Sequence, residues 1–168
     1  LKHLYNPSSK EVTAENVPTF NFLMIDGHGD PNTSPEYAAA VEALYALAYT
    51  LKLKVKKSKS GVDFAVMPLE GLWWVEDMTQ FNINKKHEWQ WTMMILQPKP
   101  ITAKLFEEAQ QEAIEKKKLP TLSRVRFESY AEGRATQIMH IGPYSAEGPT
   151  VARLHDFIQQ NGHTLSGK

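Results

Sequence analysis

The sequence predicts an α+β domain of duplicated strand–helix–strand–strand units that form one curved antiparallel sheet. Three observations lead to this prediction. Apolar segments of strand length alternate with amphipathic helical segments, turn residues separate them, and the same order of elements recurs along the chain. In such a fold the helices cover one face of the sheet, and sheet twist leaves a concave ligand cleft on the other face.

The composition is that of an ordinary globular domain. The 168 residues suffice for a single domain with a substantial core. Lys plus Arg and Asp plus Glu both number 19, so no excess charge indicates nucleic acid or an anionic membrane as a partner. The chain has no cysteine, which excludes disulfides and thiolate-ligated metals and fits a cytoplasmic protein. No apolar run approaches the ~20 residues of a membrane span.

The first elements are a strand and a helix. The apolar run at 19–26 predicts a buried strand, and the turn sequence GHGDPNTSP follows it. Ser34 is a good N-cap and Pro35 a good first helical residue. From Tyr37 onward, apolar residues at helical spacing give one stripe that fades into KLKVKKSKSG, which we expect to be a solvated loop.

Two strands and a second helix come next. The segments 63–75 and 88–97 are rich in β-branched, aromatic and Met residues, and the polar stretch between them suits a long hairpin connection. A bulge at Gly71 is compatible with the first of these strands. The segment 102–118 predicts an amphipathic helix with acids early and lysines late, as the helix dipole favours.

The last elements are a hairpin and a third helix. The segments 123–129 and 134–141 predict two strands that turn at AEG. GPYSAEGPT then leads into a helix that ends at Asn161-Gly162. Its expected buried side carries Val151, Leu154, Phe157 and Ile158.

Two segments of the chain share the same order of sequence features, as in an internal repeat. FLMIDGHGDPNTSPEYAAAVEALYAL and TQIMHIGPYSAEGPTVARLHDFI share one order of apolar strand, Gly, Pro, small polar residues, Pro and amphipathic helix. We therefore divide the single domain 1–168 into unit one at about 19–98, an extra helix at about 102–118 and unit two at about 123–168. The hairpin that closes unit one has no counterpart in unit two, so we expect the second pair of closing strands to lie beyond Lys168.

Several motifs resemble one known family. NFLMIDGHGDPNTS, GVDFAVMPLEGLWW, WTMMILQP, RVRFESYAEGRATQIMHIGPYSAEGPT and NGHTLSGK together resemble the GyrI-like small-molecule-binding superfamily over essentially the whole chain. His140, Gly142, Pro143 and Tyr144 form the H-x-G-P-Y mark of that superfamily. MPLEGLWW is narrower and is similar to a stand-alone bacterial branch that includes cyclopropanoid cyclopropyl hydrolases.

The resemblance implies a duplicated fold with a ligand cleft between the two units. Relatives in multidrug-sensing transcription activators bind bulky, often cationic drugs through aromatics and a buried acid. The hydrolase branch is associated with an aromatic cage and with opening by water of the cyclopropane ring of DNA-alkylating natural products. The resemblance also implies a later strand with an H-E-I-Y-like motif, but the sequence ends at Lys168, so a second cleft acid has no assignment here.

Glu70 is the candidate catalytic residue. Alternation along the strand places Pro68, Glu70, Leu72 and Trp74 on one face. An exposed acid on a solvated face is the ordinary interpretation. However, a face with Pro, Leu and Trp is not freely solvated, so an acid there is expected to bind a cation, position a water or act as a general base.

The candidate ligand-binding residues are mostly aromatic. If the strand is regular, Trp73 and Trp74 point to opposite faces, so at most one of them lines the cage, and Trp74 is the better candidate. Trp89 and Trp91 share a face with Met93 and Ile95, which favours a core position for them. Tyr130 is either a ligand contact or an ordinary turn aromatic. The remaining candidates are Met67, Met139 and His140, each of which also has a structural interpretation.

No metal or organic cofactor is indicated. In DGHGD, the residues Asp26, His28 and Asp30 are better explained by turn chemistry and helix capping than by metal binding, because their spacing matches no ligand pattern. The glycines there do not form a phosphate loop, since no Lys-Ser/Thr follows.

The sequence is compatible with two functions. The first is a cofactor-independent hydrolase that binds flat polycyclic xenobiotics and opens their cyclopropane ring, with Glu70 acting on the water and Trp74, Trp73 and Tyr130 holding the ligand. The second is a non-catalytic domain that sequesters or senses hydrophobic drugs, including cationic ones. A transcription regulator is a weaker third alternative, because the repeat uses the whole chain and leaves no helix-turn-helix.

Overall fold

The structure is a computed structural model that describes residues 1–166. It contains α-helices and two antiparallel sheets, so the predicted α+β class is confirmed. The strands are β1 (Thr13–Val17), β2 (Phe20–His28), β3 (Leu69–Trp74), β4 (Gln90–Gln97), β5 (Arg126–Tyr130) and β6 (Gly133–Gln137). The α-helices are α1 (Lys2–Tyr5), α2 (Pro35–Lys57), α3 (Ala103–Lys117) and α4 (Gly148–Gln160). None of these helices is both long and apolar enough to cross a membrane.

The chain forms two compact units. The central unit is Phe20–Tyr130, and the terminal unit combines Leu1–Thr19 with residues 131–166. The central unit holds a four-stranded antiparallel sheet in the order β3-β4-β2-β5, and the terminal unit holds the two-stranded sheet β1-β6. The six strands thus belong to two sheets, and the duplication proposed from the sequence remains a prediction.

In the central unit, α2 and α3 pack on one face of the sheet. The core there contains Leu23 and Ile25 from β2 and Trp91 and Ile95 from β4, none of which has exposed surface. Helix α2 begins at Pro35, as predicted, because the Ser34 hydroxyl accepts a hydrogen bond from the backbone N–H of Tyr37 at 3.3 Å.

Three local predictions were wrong. Helix α2 continues through KLKVKK to Lys57, since Val55 is buried and lysines in the last turn suit the helix dipole. The strand expected at 63–75 is regular only over Leu69–Trp74. The expected hairpin at AEG does not form: β5 pairs with β2 and β6 pairs with β1, so each strand joins the sheet of its own unit.

The terminal unit is smaller. The strand β1, which was not predicted from the sequence, pairs with β6 from Thr13 opposite Gln137 to Val17 opposite Gly133. Helix α4 lies at the predicted place, and its apolar residues are half-buried. Arg153 of this helix donates a hydrogen bond to the backbone carbonyl of Lys10.

Candidate functional site

The strand register brings the candidate residues of β3 onto one face of the central sheet. Pairing of β3 with β4 is continuous from Leu69 opposite Ile95 to Trp74 opposite Gln90, so Gly71 forms no bulge. Leu69 and Trp73 pack against the core under α2. Glu70, Leu72 and Trp74 therefore lie on the opposite face, which we call the distal face.

Four strands contribute to the distal face in ordered rows. Leu72, Thr92 and Asp26 lie side by side on β3, β4 and β2. The next row runs from Glu70 through Met94 and Met24 to Arg126 on β5. Glu70, Leu72 and Trp74 are half-buried, and the two methionines are buried, each 3% exposed. The distal face therefore has an apolar floor with an acid at one edge.

An ion-pair network lies beside this floor. Arg126 donates to both carboxylate oxygens of Asp26 at 2.9 and 3.1 Å and to Glu128 at 2.8 Å. Thr92 is buried, and its hydroxyl donates a hydrogen bond to the Asp26 carboxylate at 2.6 Å. Burial lowers the pKa of Arg126, but its bonds to Glu128 and Asp26 outweigh that effect and raise the pKa above its usual value. The guanidinium therefore stays charged and holds both carboxylates in place.

Trp74 and Glu70 are separated by Leu72 on the distal face, about 13 Å apart along the strand. Tyr130 lies at the opposite corner of the sheet, opposite Phe20 on β2, and its ring packs edge-on against Phe22 at 6.4 Å. With strands spaced at about 4.8 Å, the Cα atoms of Tyr130 and Glu70 are roughly 20 Å apart. Glu70 and Trp74 thus share one strand and one face, while Tyr130 lies at the opposite corner of the same sheet.

Trp73 lies on the other side of the sheet. Its ring is 6.0 Å from Tyr37 of α2 and 5.5 Å from Trp89, in an aromatic cluster that also includes Trp91 and Phe81. The indole N–H of Trp89 donates to the carbonyl of Asn82, as expected of a structural side chain. Trp73 is thus a neighbour of the core, as alternation along the strand indicates.

The other three candidates lie outside the strands of the central sheet. Met67 packs against the core under α2. Met139 and His140 follow β6 in the terminal unit. The ring nitrogens of His140 are within hydrogen-bond distance of the Thr150 hydroxyl at 2.9 Å and the Pro143 carbonyl at 3.1 Å. This histidine connects the turn before α4 to the first turn of the helix, a structural role.

The residues of DGHGD have separate roles. Asp30 accepts a hydrogen bond from the backbone N–H of Asn32 at 2.9 Å, which is the predicted turn chemistry. His28 lies 3.2 Å from Glu36, whose carboxylate also accepts from Arg124 at 2.9 Å. Within residues 1–166, no three His, Asp or Glu side chains are grouped as metal ligands would be.

Asp26, Thr92 and Arg126 also lie on the distal face, and none of them was predicted to do so from the sequence. Alternation from Phe22 through Met24 would have placed Asp26 on the distal face. The partner of Asp26 is 100 residues away on β5, so no local pattern connects them.

An α+β fold with a partly apolar, acid-edged sheet face defines a small-molecule-binding class of protein. The sequence model of the family described as GyrI-like small molecule binding domain matches residues 10–168, and the chain belongs to that family. No curated protein matches significantly.

Several solved structures from Listeria innocua share the fold, each over 96% of this chain. One, described as an uncharacterized conserved protein, is 40% identical with a TM-score of 0.88, and 78% of its chain is covered. A second, described as a hydrolase, is 38% identical with a TM-score of 0.82 and 81% covered. A third, also described as a hydrolase, is 40% identical with a TM-score of 0.85 and 78% covered.

Proposed function

We propose that the protein hydrolyses flat, conjugated small molecules bound on the distal face, and that its substrates are cyclopropanoids, in which a cyclopropane ring is conjugated to a dienone. The observation that carries the proposal is the half-buried carboxylate of Glu70 at the edge of an apolar floor that ends at an indole. The hydrolase descriptions of similar structures support the reaction type. The resemblance of MPLEGLWW to the cyclopropanoid hydrolases supports the substrate class.

The arrangement of β3 suits a planar ligand. Trp74 and Glu70 flank Leu72 at a spacing of about 13 Å, and the proposed fused-ring ligand lies across Leu72 between them. Stacking of a conjugated ring on the Trp74 indole contributes about 0.5–1.5 kcal/mol beyond the burial of apolar area. The ligand edge that is distant from Trp74 then lies beside the Glu70 carboxylate.

The proposed reaction needs one water and one base. Glu70 takes a proton from the water as the water oxygen bonds to a cyclopropane carbon. The strained carbon–carbon bond breaks, and its electron pair passes through the dienone to the carbonyl oxygen. That oxygen gains a proton, the ring becomes aromatic as a phenol, and the carboxylic acid of Glu70 returns its proton to solvent. Strain and aromatisation drive the step, so the protein contributes position and proton transfer.

The test is product formation with a cyclopropane-fused dienone, followed by the absorbance of the ring-opened phenol. Glu70→Gln is expected to slow turnover by about 10²–10⁴-fold, the usual contribution of a general base. Glu76→Gln is the matched control, because Glu76 is an exposed acid of the same segment and is expected to leave the rate unchanged. Equal rates for wild type and Glu70→Gln would remove Glu70 from the mechanism.

The charge of the distal face favours a second candidate, a domain that binds cationic drugs without turnover. Asp26 and Glu128 share one guanidinium, that of Arg126, so these three side chains together carry one negative charge at neutral pH. This function predicts that a cationic planar dye binds more tightly than its neutral isostere and that Glu70→Gln removes the difference. Binding of the cyclopropanoid with no phenol formed by the wild type would favour this candidate over the hydrolase.

A further inference from the structure

A concave surface lies on the outside of the central unit, between α2 and α3. Its floor contains Ala46, Tyr49 and Leu53 of α2 and Leu105 of α3. Tyr49 is 52% exposed and Leu53 is 49% exposed, although this side of a surface helix is ordinarily polar. With Tyr45, whose ring is 6.5 Å from that of Tyr49, they form an apolar stripe at i, i+4 and i+8 along α2. We call this surface the α2–α3 groove.

The rim of the α2–α3 groove is basic. It is lined by four lysines and two glutamates, a local excess of two positive charges in a chain whose net charge is zero. Glu112 is already compensated, because Lys54 at 3.0 Å and Lys116 at 2.6 Å both pair with it. Within residues 1–166, no carboxylate lies within salt-bridge distance of Lys57 or Lys117, so both are available to a partner.

We propose that the α2–α3 groove docks an acidic amphipathic helix of a partner protein. From Tyr45 to Leu53 the stripe is about 12 Å long, a little over two helical turns. Apolar residues of a docked helix at i, i+4 and i+7 fill such a floor, and flanking glutamates reach the rim lysines. A two-fold contact with a second copy is disfavoured, because it would bring two basic rims together. A flat lipid surface would contact the rim and leave the floor unfilled.

The test uses the full chain and a fluorophore-labelled synthetic peptide of about 20 residues, with Leu on one helical face and Glu on its flanks. Its twin has Lys in place of every Glu. By fluorescence anisotropy, the acidic peptide is expected to bind and its twin is not. Leu53→Glu and Lys57→Glu are each expected to weaken binding at least tenfold, whereas Lys59→Glu, an exposed position outside the groove, leaves it unchanged.

Four outcomes would overturn the proposal. They are equal binding of both peptides, binding of neither, self-association in sedimentation that Leu53→Glu abolishes, and binding to phosphatidylglycerol vesicles without binding to the acidic peptide. Far-UV circular dichroism of each variant verifies that the helices are intact. The proposal is independent of the proposed hydrolysis, since the variants carry no change on the distal face.

Discussion

The sharpest prediction concerns Gly27, which lies in β2 directly opposite Trp91 in β4. A Cβ atom at Gly27 would be 2.1 Å from the nearest carbon of the Trp91 ring, with further ring carbons at 2.4 and 2.6 Å. Non-bonded carbons normally sit about 3.5–4.0 Å apart, so Gly27→Ala requires a displacement of more than about 1 Å.

Trp91 has little freedom to make that displacement. Its side chain has no exposed surface, and its ring packs edge-on against Tyr37 at 5.3 Å. Overpacking a core lowers the free energy of unfolding by about 1–3 kcal/mol. Because Trp91 is tightly enclosed, we expect Gly27→Ala to cost about 3 kcal/mol or more. With a urea dependence of about 2 kcal/mol per M, a loss of about 3 kcal/mol lowers the unfolding midpoint by roughly 1.5 M.

Tryptophan fluorescence in urea measures this effect, because all four tryptophans belong to the central unit. Gly148→Ala is the matched control: a Cβ there contacts nothing within 4 Å, and the tryptophan transition should not move. The double variant Gly27→Ala with Trp91→Leu should be more stable than the sum of the two single losses predicts, since the smaller side chain relieves the overlap. A midpoint for Gly27→Ala within about 0.3 M of wild type would refute the reasoning.

Three further predictions follow from single contacts. Ser34→Ala removes the N-cap of α2 and should cost about 1 kcal/mol in urea unfolding, while Ser34→Asp should retain most of the stability. Trp73→Ala should destabilise the central unit by about 3 kcal/mol, measured by circular dichroism, whereas Trp74→Ala should mainly weaken the binding of a planar ligand. Hydrogen bonds from Lys116 and Lys54 lower the pKa of Glu112 from 4.5 to about 2, so its contribution to stability is present above pH 4.5 and is lost between pH 4.5 and 2. Glu112→Gln should therefore show a shallower loss of stability across that window, and an unchanged slope would contradict the pairing.

The parts of the fold with strong local signals were predictable. Ser34-Pro35 determines where α2 begins, and the apolar periodicity after it identifies the helix. Strand alternation correctly placed Trp73 and Trp74 on opposite faces of β3. These features depend on neighbours within one turn or one strand, and so the sequence pattern is sufficient to identify them.

The errors arose where strand partners are distant. The turn signal at AEG is real, since Gly133 has a φ of 74°, but a local turn does not determine which strand pairs with which. Neither β1 (TAENV) nor β6 (GRATQ) shows apolar alternation. For this reason β1 was not predicted, and β6 was predicted to pair with β5 instead of β1. The pairing of Thr13 with Gln137 depends on the folding of the terminal unit as a whole.

The same distinction explains the candidate site. Glu70 and Trp74 are neighbours in sequence, so alternation alone places them on one face. Asp26 and Arg126 come from strands that meet only in the folded sheet, and their ion pair is visible only there. The resemblance to a family directed attention to β3, which carries Glu70, but the ion pairs on the same face required the register of all four strands.

The composition of LEGLWW is explained by the two faces of β3. A Cβ at Gly71 would lie 2.8 Å from the indole nitrogen of Trp73 and 3.0 Å from the sulfur of Met93, so glycine provides the space for the Trp73 ring to fold against the core. That packing holds β3 to the helix side of the sheet. Side chains alternate along β3, so Glu70 and Trp74 point to the face opposite Trp73. The packing of Trp73 against the core therefore keeps both of them on the distal face. One tryptophan thus anchors the strand that carries the other, so the core beneath β3 supports the orientation of both side chains.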